Sequence, residues 1–312
     1  MDNVKRLIIV YSPHVTRIKK YKAVRKKLLD VAQMNNWTIQ EIILDNVPYF
    51  KALKLIANKL IDNDLVVAAG GDGVAQVTFN AVYLTKRDII FTTIPLGNGN
   101  DISRAINGRL KSVTAVLQQK VRDFYPLNLV IDGRIGFSLI SYATFGATTT
   151  LVDYLNSESS RKVRRLLKNV TPAAAVPVTK LSEISDEINQ LNFPDFIRDG
   201  ILLTDDSVGF FVISAAHNVL RLPKKILLAR SEFFFHHSTT KDKNLAKKII
   251  MAGTWALKFP GEMSELEEIN FISNKTDIKV NISGDNINLG PIQKIVAIRS
   301  NRAVKILTSS NF

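Results

Sequence analysis

The chain has 312 residues, no cysteine, and 42 Lys and Arg against 28 Asp and Glu, which gives a net charge of +14. This length suits two domains, and the lack of cysteine excludes disulfides, thiolate zinc sites and a cysteine nucleophile. The positive charge favours polyanionic partners such as nucleotides, nucleic acid or an anionic membrane surface. No stretch reaches the roughly 18 to 20 apolar residues that span a bilayer, and Leu7–Val10 is too short for a signal peptide. We therefore expect a cytoplasmic protein whose contact with membrane is peripheral.

Residues 1–125 alternate between short apolar runs and segments with helical spacing. The predicted strands are Leu7–Tyr11, Trp37–Leu44, Asp64–Ala69 and Ile89–Ile94. Helical patterns begin near Tyr21, Phe50 and Val74. This rhythm predicts an α/β domain whose parallel sheet is covered by helices on both faces. Ligands of such sheets bind beyond the carboxyl ends of the strands.

Residues 126–312 have a different pattern, with strands following one another. Asn128–Ile131 and Ile135–Ile140 are joined through Asp132-Gly133, which predicts a hairpin. Further strands are predicted at Gly209–Ser214, Glu232–His236, Ile278–Ile282 and Ile295–Ile298, and helices at 161–168, 181–191 and 243–257. We therefore expect a second, mainly antiparallel β-rich domain. Its last strand, Ala303–Leu307, could return to either domain.

The segment Gly70-Gly71-Asp72-Gly73 ends a predicted strand and begins a predicted helix. Glycines let the backbone approach a ligand closely, and the N–H groups at a helix start attract phosphate. An aspartate in such a turn repels phosphate unless a cation such as Mg²⁺ lies between them. A tight turn in which Asp72 caps the helix would give the same pattern.

A second glycine-rich segment, Pro95-Leu96-Gly97-Asn98-Gly99-Asn100-Asp101, follows the next predicted strand. An ordinary loop capped by Asn100 or Asp101 would explain it alone. Two such loops at neighbouring strand ends favour a nucleotide site.

The two motifs together resemble those of diacylglycerol kinases and related sphingosine, ceramide and bacterial lipid kinases. The resemblance implies an ATP-binding α/β domain, a β-rich domain for the lipid acceptor, and a cleft between them. It implies that ATP and Mg²⁺ are held by residues of the two loops and their surroundings: Ser12, Gly70, Gly71, Asp72, Gly73, Val74, Asn80, Gly97, Asn98, Asn100 and Asp101. Asp72 would orient both metal and phosphates, with Glu232 as a second metal ligand.

The family also carries an Asp-Gly-Glu turn whose glutamate accepts the proton of the lipid hydroxyl. Ser283-Gly284-Asp285 takes this place here, so the resemblance assigns Asp285 as the catalytic base. A plain β-turn is the alternative for these three residues. Val74 and Val77 replace a threonine and a glutamate that are common in the family.

The sequence thus predicts an ATP- and Mg²⁺-dependent lipid kinase. Two basic segments, Arg17–Lys27 and Arg161–Lys168, would favour anionic lipid, and no nucleic-acid motif is present. The alternatives are an inactive nucleotide- or lipid-binding homologue and an enzyme of the NAD kinase type, which shares the first loop. The oligomeric state stays open, with a homodimer among the options.

Overall fold

The computed structural model describes side chains and backbone in residues 4–15, 18–97, 100–107, 112–146, 149, 153, 268–270 and 278–308. It describes the backbone alone in residues 197–198, 201–202, 208–214, 233–240, 262–266 and 271–272. The helices predicted at 161–168, 181–191 and 243–257 lie outside these ranges. No helix within the described ranges is long and apolar enough to cross a bilayer.

Six strands form the first sheet. They are β1 (Arg6–Tyr11), β2 (Thr38–Ile43), β3 (Asp64–Gly70), β4 (Ile90–Pro95), β5 (Lys120–Phe124) and β18 (Val304–Thr308). Their order is β2-β1-β3-β4-β18-β5, and only β5 runs antiparallel to its neighbour. The predicted parallel sheet is therefore confirmed. The last strand, β18, returns to this first sheet. Residues 304–308 therefore lie beside the N-terminal strands, although they come after residue 125 in the sequence.

Helices cover both faces of this sheet. They are α1 (Ile18–Met34), α2 (Tyr49–Ala57), α3 (Asp72–Thr85), α4 (Asp101–Asn107) and α5 (Val113–Leu117). Successive side chains of a strand point to opposite faces, so Leu7 and Ile9 share a core with α1, whereas Ile8 and Val10 share one with α2 and α3. Phe79 of α3 is fully buried in the second of these cores.

The second part of the chain forms two antiparallel sheets. Their strands are β6 (Leu127–Ile131), β7 (Arg134–Leu139), β8 (Tyr142–Gly146), β9 (Ile197–Arg198), β10 (Ile201–Leu202), β11 (Val208–Ser214), β12 (Phe233–Thr240), β13 (Glu262–Leu266), β14 (Glu268–Ile272), β15 (Lys279–Ile282), β16 (Asp285–Asn288) and β17 (Lys294–Arg299). One sheet has the order β10-β9-β14-β17-β6-β7, and the other β13-β12-β11-β8-β15-β16.

The predicted hairpin at Asp132-Gly133 is confirmed. Both residues have positive φ, 46° and 78°, as the two-residue turn between β6 and β7 requires. The Asp132 carboxylate also accepts the backbone N–H of Lys294 at 2.8 Å, which joins the turn to the start of β17.

Helix α3 connects the two parts of the molecule. It begins at the first glycine segment and packs against the first sheet, while its polar side chains reach β7. The Asn80 carboxamide accepts the backbone N–H of Ser138 at 3.0 Å. A displacement of α3 would therefore be transmitted to both parts.

Candidate active site

The two glycine segments lie side by side at the carboxyl edge of the first sheet. Gly70 ends β3 and pairs with Pro95, which ends β4. The backbone N–H of Leu96 donates to the carbonyl of Gly70 at 2.9 Å. Ser12 follows Tyr11, which pairs with Ala69, so Ser12 lies at the same edge. This is the edge at which α/β sheets bind ligands.

Close backbone contact between the two segments explains two of the glycines. A Cβ atom at Gly97 would overlap the Cα atom of Gly71, and a Cβ at Gly71 would lie 3.3 Å from the Cα of Gly97. Both obstacles are backbone atoms, which cannot rotate away. A side chain at Gly97 would therefore force the two loops apart, and the position of Gly71 leaves little room for one.

Asn100 fixes the shape of the second segment. Its carboxamide oxygen accepts the N–H of Gly97 at 2.9 Å, and its amide nitrogen donates to the carbonyl of Gly97 at 2.5 Å. The residue adopts a left-handed conformation with φ of 57°, which asparagine tolerates better than most residues. Asn98, to which we assigned nucleotide contact, lies outside the described residues.

Asp72 connects the first segment to the helix that follows the second. Its carboxylate accepts the N–H of Ile102 at 2.9 Å, in the first turn of α4. The aspartate thus caps α4 rather than its own helix, whose N-cap residue Gly71 has no side chain to cap with. Burial, and then the charge of Asp101, raise the pKa of Asp72 to about 6.

The raised pKa of Asp72 predicts a pH-dependent cost to stability. An unfolded aspartate ionises with its ordinary pKa of about 3.9, so between that pH and about 6 the folded chain holds the extra proton. The free energy of unfolding should fall as the pH rises through this window, by roughly 3 kcal/mol in total. Asp72→Asn keeps the cap on Ile102 and should remove this loss, so the variant should be the more stable at pH 7.

Urea unfolding of wild type and Asp72→Asn at pH 4.5 and pH 7 measures this difference. Other carboxylates cancel in the comparison, because the two chains share them. A wild type that gains stability relative to the variant as the pH rises would contradict a buried, repelled carboxylate.

Asp285 belongs to the second part of the chain but lies against the first glycine segment. A Cβ atom at Gly73 would come within 2.5 Å of the Asp285 carboxylate oxygen Oδ2. The predicted strand and turn are confirmed, since a two-residue turn with φ of 51° at Ser283 and 100° at Gly284 joins β15 to β16. The turn places the carboxylate beside the loop that carries Asp72.

Tyr142 is a candidate hydrogen-bond donor of the site that the sequence did not indicate. It precedes Ala143, which pairs with Ile282, so its position in β8 is level with Ser283 of the turn. Burial, followed by the charges of Asp72, Asp101 and Asp285, raises the pKa of its phenol above the ordinary value. Tyr142 therefore stays neutral and can donate a hydrogen bond near the three carboxylates. A single tyrosine at the start of a strand carries no motif that could have identified it.

Three further residues were predicted to bind the nucleotide or the metal: Val74, Asn80 and Glu232. Val74 packs against Gly70, where a Cβ would lie 2.6 Å from the Val74 Cβ, and so supports the loop. Asn80 is fully buried and donates to the Tyr49 hydroxyl at 3.1 Å, so the structure does not bring it to the glycine loops. Glu232, the expected second metal ligand, lies outside the described residues.

A magnesium ion would find few protein ligands in the described part of the chain. No group of three or more His, Cys, Asp or Glu side chains there is arranged to hold a metal. Asp101 is paired with Arg104, which leaves Asp72 as the carboxylate whose charge is poorly compensated. Mg²⁺ commonly needs only one or two carboxylates when phosphates and water complete its shell, so this arrangement fits a metal that arrives with a nucleotide.

Comparison with known proteins agrees with this geometry. Residues 6–127 match the family described as diacylglycerol kinase catalytic domain. A curated protein of Pseudomonas syringae pv. syringae (strain B728a), "Probable lipid kinase YegS-like", is 32% identical over 141 residues. That alignment covers 44% of this chain and 43% of the relative, less than half the length of either.

The fold extends the likeness over the whole chain. The crystal structure of a diacylglycerol kinase from Bacillus anthracis str. Sterne superposes with a TM-score of 0.62, covering 98% of this chain and 97% of that one at 13% identity. At this identity the similarity concerns the fold alone. The sequence similarity to the diacylglycerol kinase catalytic domain family extends over residues 6–127, the segment that carries both glycine loops.

Proposed function

We propose that this chain is an ATP-dependent lipid kinase that transfers the γ-phosphoryl group to a lipid hydroxyl. The observation that carries the proposal is the contact between Gly73 of the first glycine segment and the Asp285 carboxylate of the second part. It brings a carboxylate base beside a loop of the kind that binds phosphate. The family match supports a kinase of this class, while the nucleotide and acceptor are our inference.

The glycine loops supply the proposed phosphate site. Gly71 and Gly97 let the two loop backbones approach each other without side chains between them, and α3 begins immediately after Gly71. The partial positive charge of a helix start and its free N–H groups favour phosphate oxygens. Ser12, which directly follows β1 at the same edge of the sheet, would contact the nucleotide from the neighbouring strand.

Asp72, with Asp101 beside it, would hold Mg²⁺ together with the phosphates. The bound metal would neutralise charge on the phosphate oxygens during transfer. Binding requires the ionised carboxylate, whose pKa is raised to about 6. Affinity for the Mg²⁺–ATP complex should therefore weaken as the pH falls below 6.

Asp285 would accept the proton of the acceptor. The lipid hydroxyl oxygen bonds to the γ-phosphorus, the bond from that phosphorus to the β,γ-bridging oxygen breaks, and ADP leaves with the electron pair. The hydroxyl proton passes to the Asp285 carboxylate. This carboxylate is the exposed first residue of β16 and can be reached from solvent.

Peripheral contact with anionic membrane is part of the proposal. Exposed basic side chains cover α1: Lys19, Lys20, Lys22, Arg25, Lys26 and Lys27. Tyr21, near the start of this helix, stacks on Tyr11 at the end of β1 with ring centroids 4.0 Å apart. The beginning of α1 is thus at the edge of the sheet that carries the glycine loops. Each basic residue near an anionic surface contributes about 1 kcal/mol.

Acceptor specificity distinguishes this function from its alternatives. Purified protein with Mg²⁺ and γ-labelled ATP would be offered diacylglycerol or a sphingoid base in anionic mixed micelles, or NAD in solution. Label in a lipid supports the proposal, and label in NAD alone would replace it with an NAD kinase. ATP binding without any labelled product would indicate a binding homologue.

Asp72→Asn should lose about 10²-fold in rate, whereas Asp88→Asn, remote at the opposite edge of the sheet, should not.

A further inference from the structure

Three polar side chains are buried on one face of α3. Gln76, Asn80 and Tyr83 are spaced by four and three residues, so they line a single face of the helix. Gln76 and Asn80 are 0% exposed, and Tyr83 is 5% exposed. Burying an amide is costly unless its hydrogen bonds are made, so these side chains must have partners inside the protein.

The carboxamide of Gln76 forms its hydrogen bonds with the second part of the chain. Its amide nitrogen donates to the carbonyl of Ser138 at 2.8 Å, and its oxygen lies 3.3 Å from the backbone N–H of Ile140. The hydroxyl of Ser283 donates to the same oxygen at 3.5 Å. With partners on several sides, the carboxamide has one orientation.

The position of Gln76 along α3 places these hydrogen bonds close to the contact between Gly73 and Asp285. It lies three residues after Gly73, about one helical turn from the glycine against which Asp285 packs. Ser283 is the first residue of the two-residue turn that leads to Asp285, and it is held in a left-handed conformation with φ of 51°. A non-glycine residue in this conformation needs support from its surroundings.

We propose that Gln76 is a positioning residue that fixes the Asp285 turn against the first glycine segment. One side chain of α3 holds both the backbone of β7 and the turn, so the distance between Gly73 and the Asp285 carboxylate is set through it. The assignment deepens the proposed function, because it presumes that Asp285 works on the acceptor. Neither Gln76 nor its partners belong to the two glycine loops, so ATP binding does not depend on them.

Two variants and one control test this role. Gln76→Asn is one methylene shorter and cannot reach Ser138, Ile140 and Ser283 together. We expect kcat to fall about 10- to 100-fold with KM for ATP unchanged, because a displaced base impairs the transfer step alone. Thr78→Val is the control, since its hydroxyl is equally buried on α3 but donates only within the helix, to Val74. It should keep the wild-type kcat.

Gln76→Glu separates positioning from general packing, because it has the same shape. Ionised, it cannot donate to the Ser138 carbonyl, and protonated it regains one donor. Burial raises the pKa of such a carboxyl, so the activity of this variant relative to wild type should recover as the pH falls from 8 to 6. A pH-independent ratio would overturn the proposal.

A double-mutant comparison and a readout without turnover complete the test. Gln76→Asn should add little to the loss caused by Asp285→Asn, and a full additional loss would overturn the role of Gln76 while leaving the kinase standing. Amide hydrogen exchange in residues 279–288 should become at least 10-fold faster in Gln76→Asn and stay unchanged in Thr78→Val. Unchanged exchange would refute the positioning role. This result can be read even if wild type makes no phospholipid, the outcome that would refute the proposed function.

Discussion

Replacement of Asp285 by asparagine should lower kcat by about 10²- to 10⁴-fold, the range expected when a general base is removed. The asparagine keeps the size of the side chain against Gly73, so the glycine loop should keep its shape. Because Asp285 lies on the second part of the chain, the affinity for ATP should stay within about twofold. Steady-state kinetics with saturating lipid, together with equilibrium ATP binding, measure both quantities.

Two further variants sharpen the interpretation of Asp285. Asp285→Glu restores the longer carboxylate that the resembling family carries, so it should retain most of the activity. Lys279→Gln is a control on the same hairpin, since Lys279 is exposed and contacts only Asp153 among the described ion pairs. Equal activity of Asp285→Asn and wild type would show that another group takes the proton, or that no base is needed.

Substitution of Gly97 by alanine should abolish tight ATP binding. The new Cβ would overlap the Cα of Gly71, and neither backbone can rotate out of the way, so the two loops must separate. We expect a loss of at least 10-fold in ATP affinity and about 1 to 3 kcal/mol of unfolding free energy, which is typical of overpacking. Calorimetric titration with Mg²⁺–ATP and urea unfolding measure these losses.

Gly136→Ala is the matched control for this substitution. A Cβ at Gly136 would meet the end of the flexible Ile131 side chain at 2.6 Å, and that side chain can move. This variant should bind ATP like wild type. Wild-type affinity in Gly97→Ala would show that the contact between the two loops is not required for the nucleotide site.

Local patterns in the sequence determined much of the fold. Apolar runs such as Leu65–Ala69 identified the strands of the first sheet, because a strand buried on both faces needs no alternation. Asp132-Gly133 identified a turn because both positions need positive φ. The sequence could not place the last strand, because a short apolar run fits a buried position in either part of the chain equally well. Its partners β4 and β5 lie far away along the chain.

The candidate site was predictable only where its residues form short motifs. The glycine segments and Asp285 were found because their order resembles a known family. Local rules also suggested that Asp72 caps a helix. They could not show that this helix is α4, because Ile102, whose N–H the carboxylate accepts, lies about 30 residues further along the chain. Gln76 and Tyr142 gave no signal, because their roles depend on contacts between the two parts of the chain.

The most direct test of the account is the initial rate of γ-phosphate transfer from labelled ATP to a total lipid extract. It would be measured with Mg²⁺ for wild type and for Asp285→Asn, at matched protein concentration and confirmed ATP binding. We expect wild type to produce a labelled phospholipid and the variant to produce it at least 100-fold more slowly. A wild type that binds ATP but labels no lipid would contradict the kinase assignment and leave a nucleotide-binding homologue.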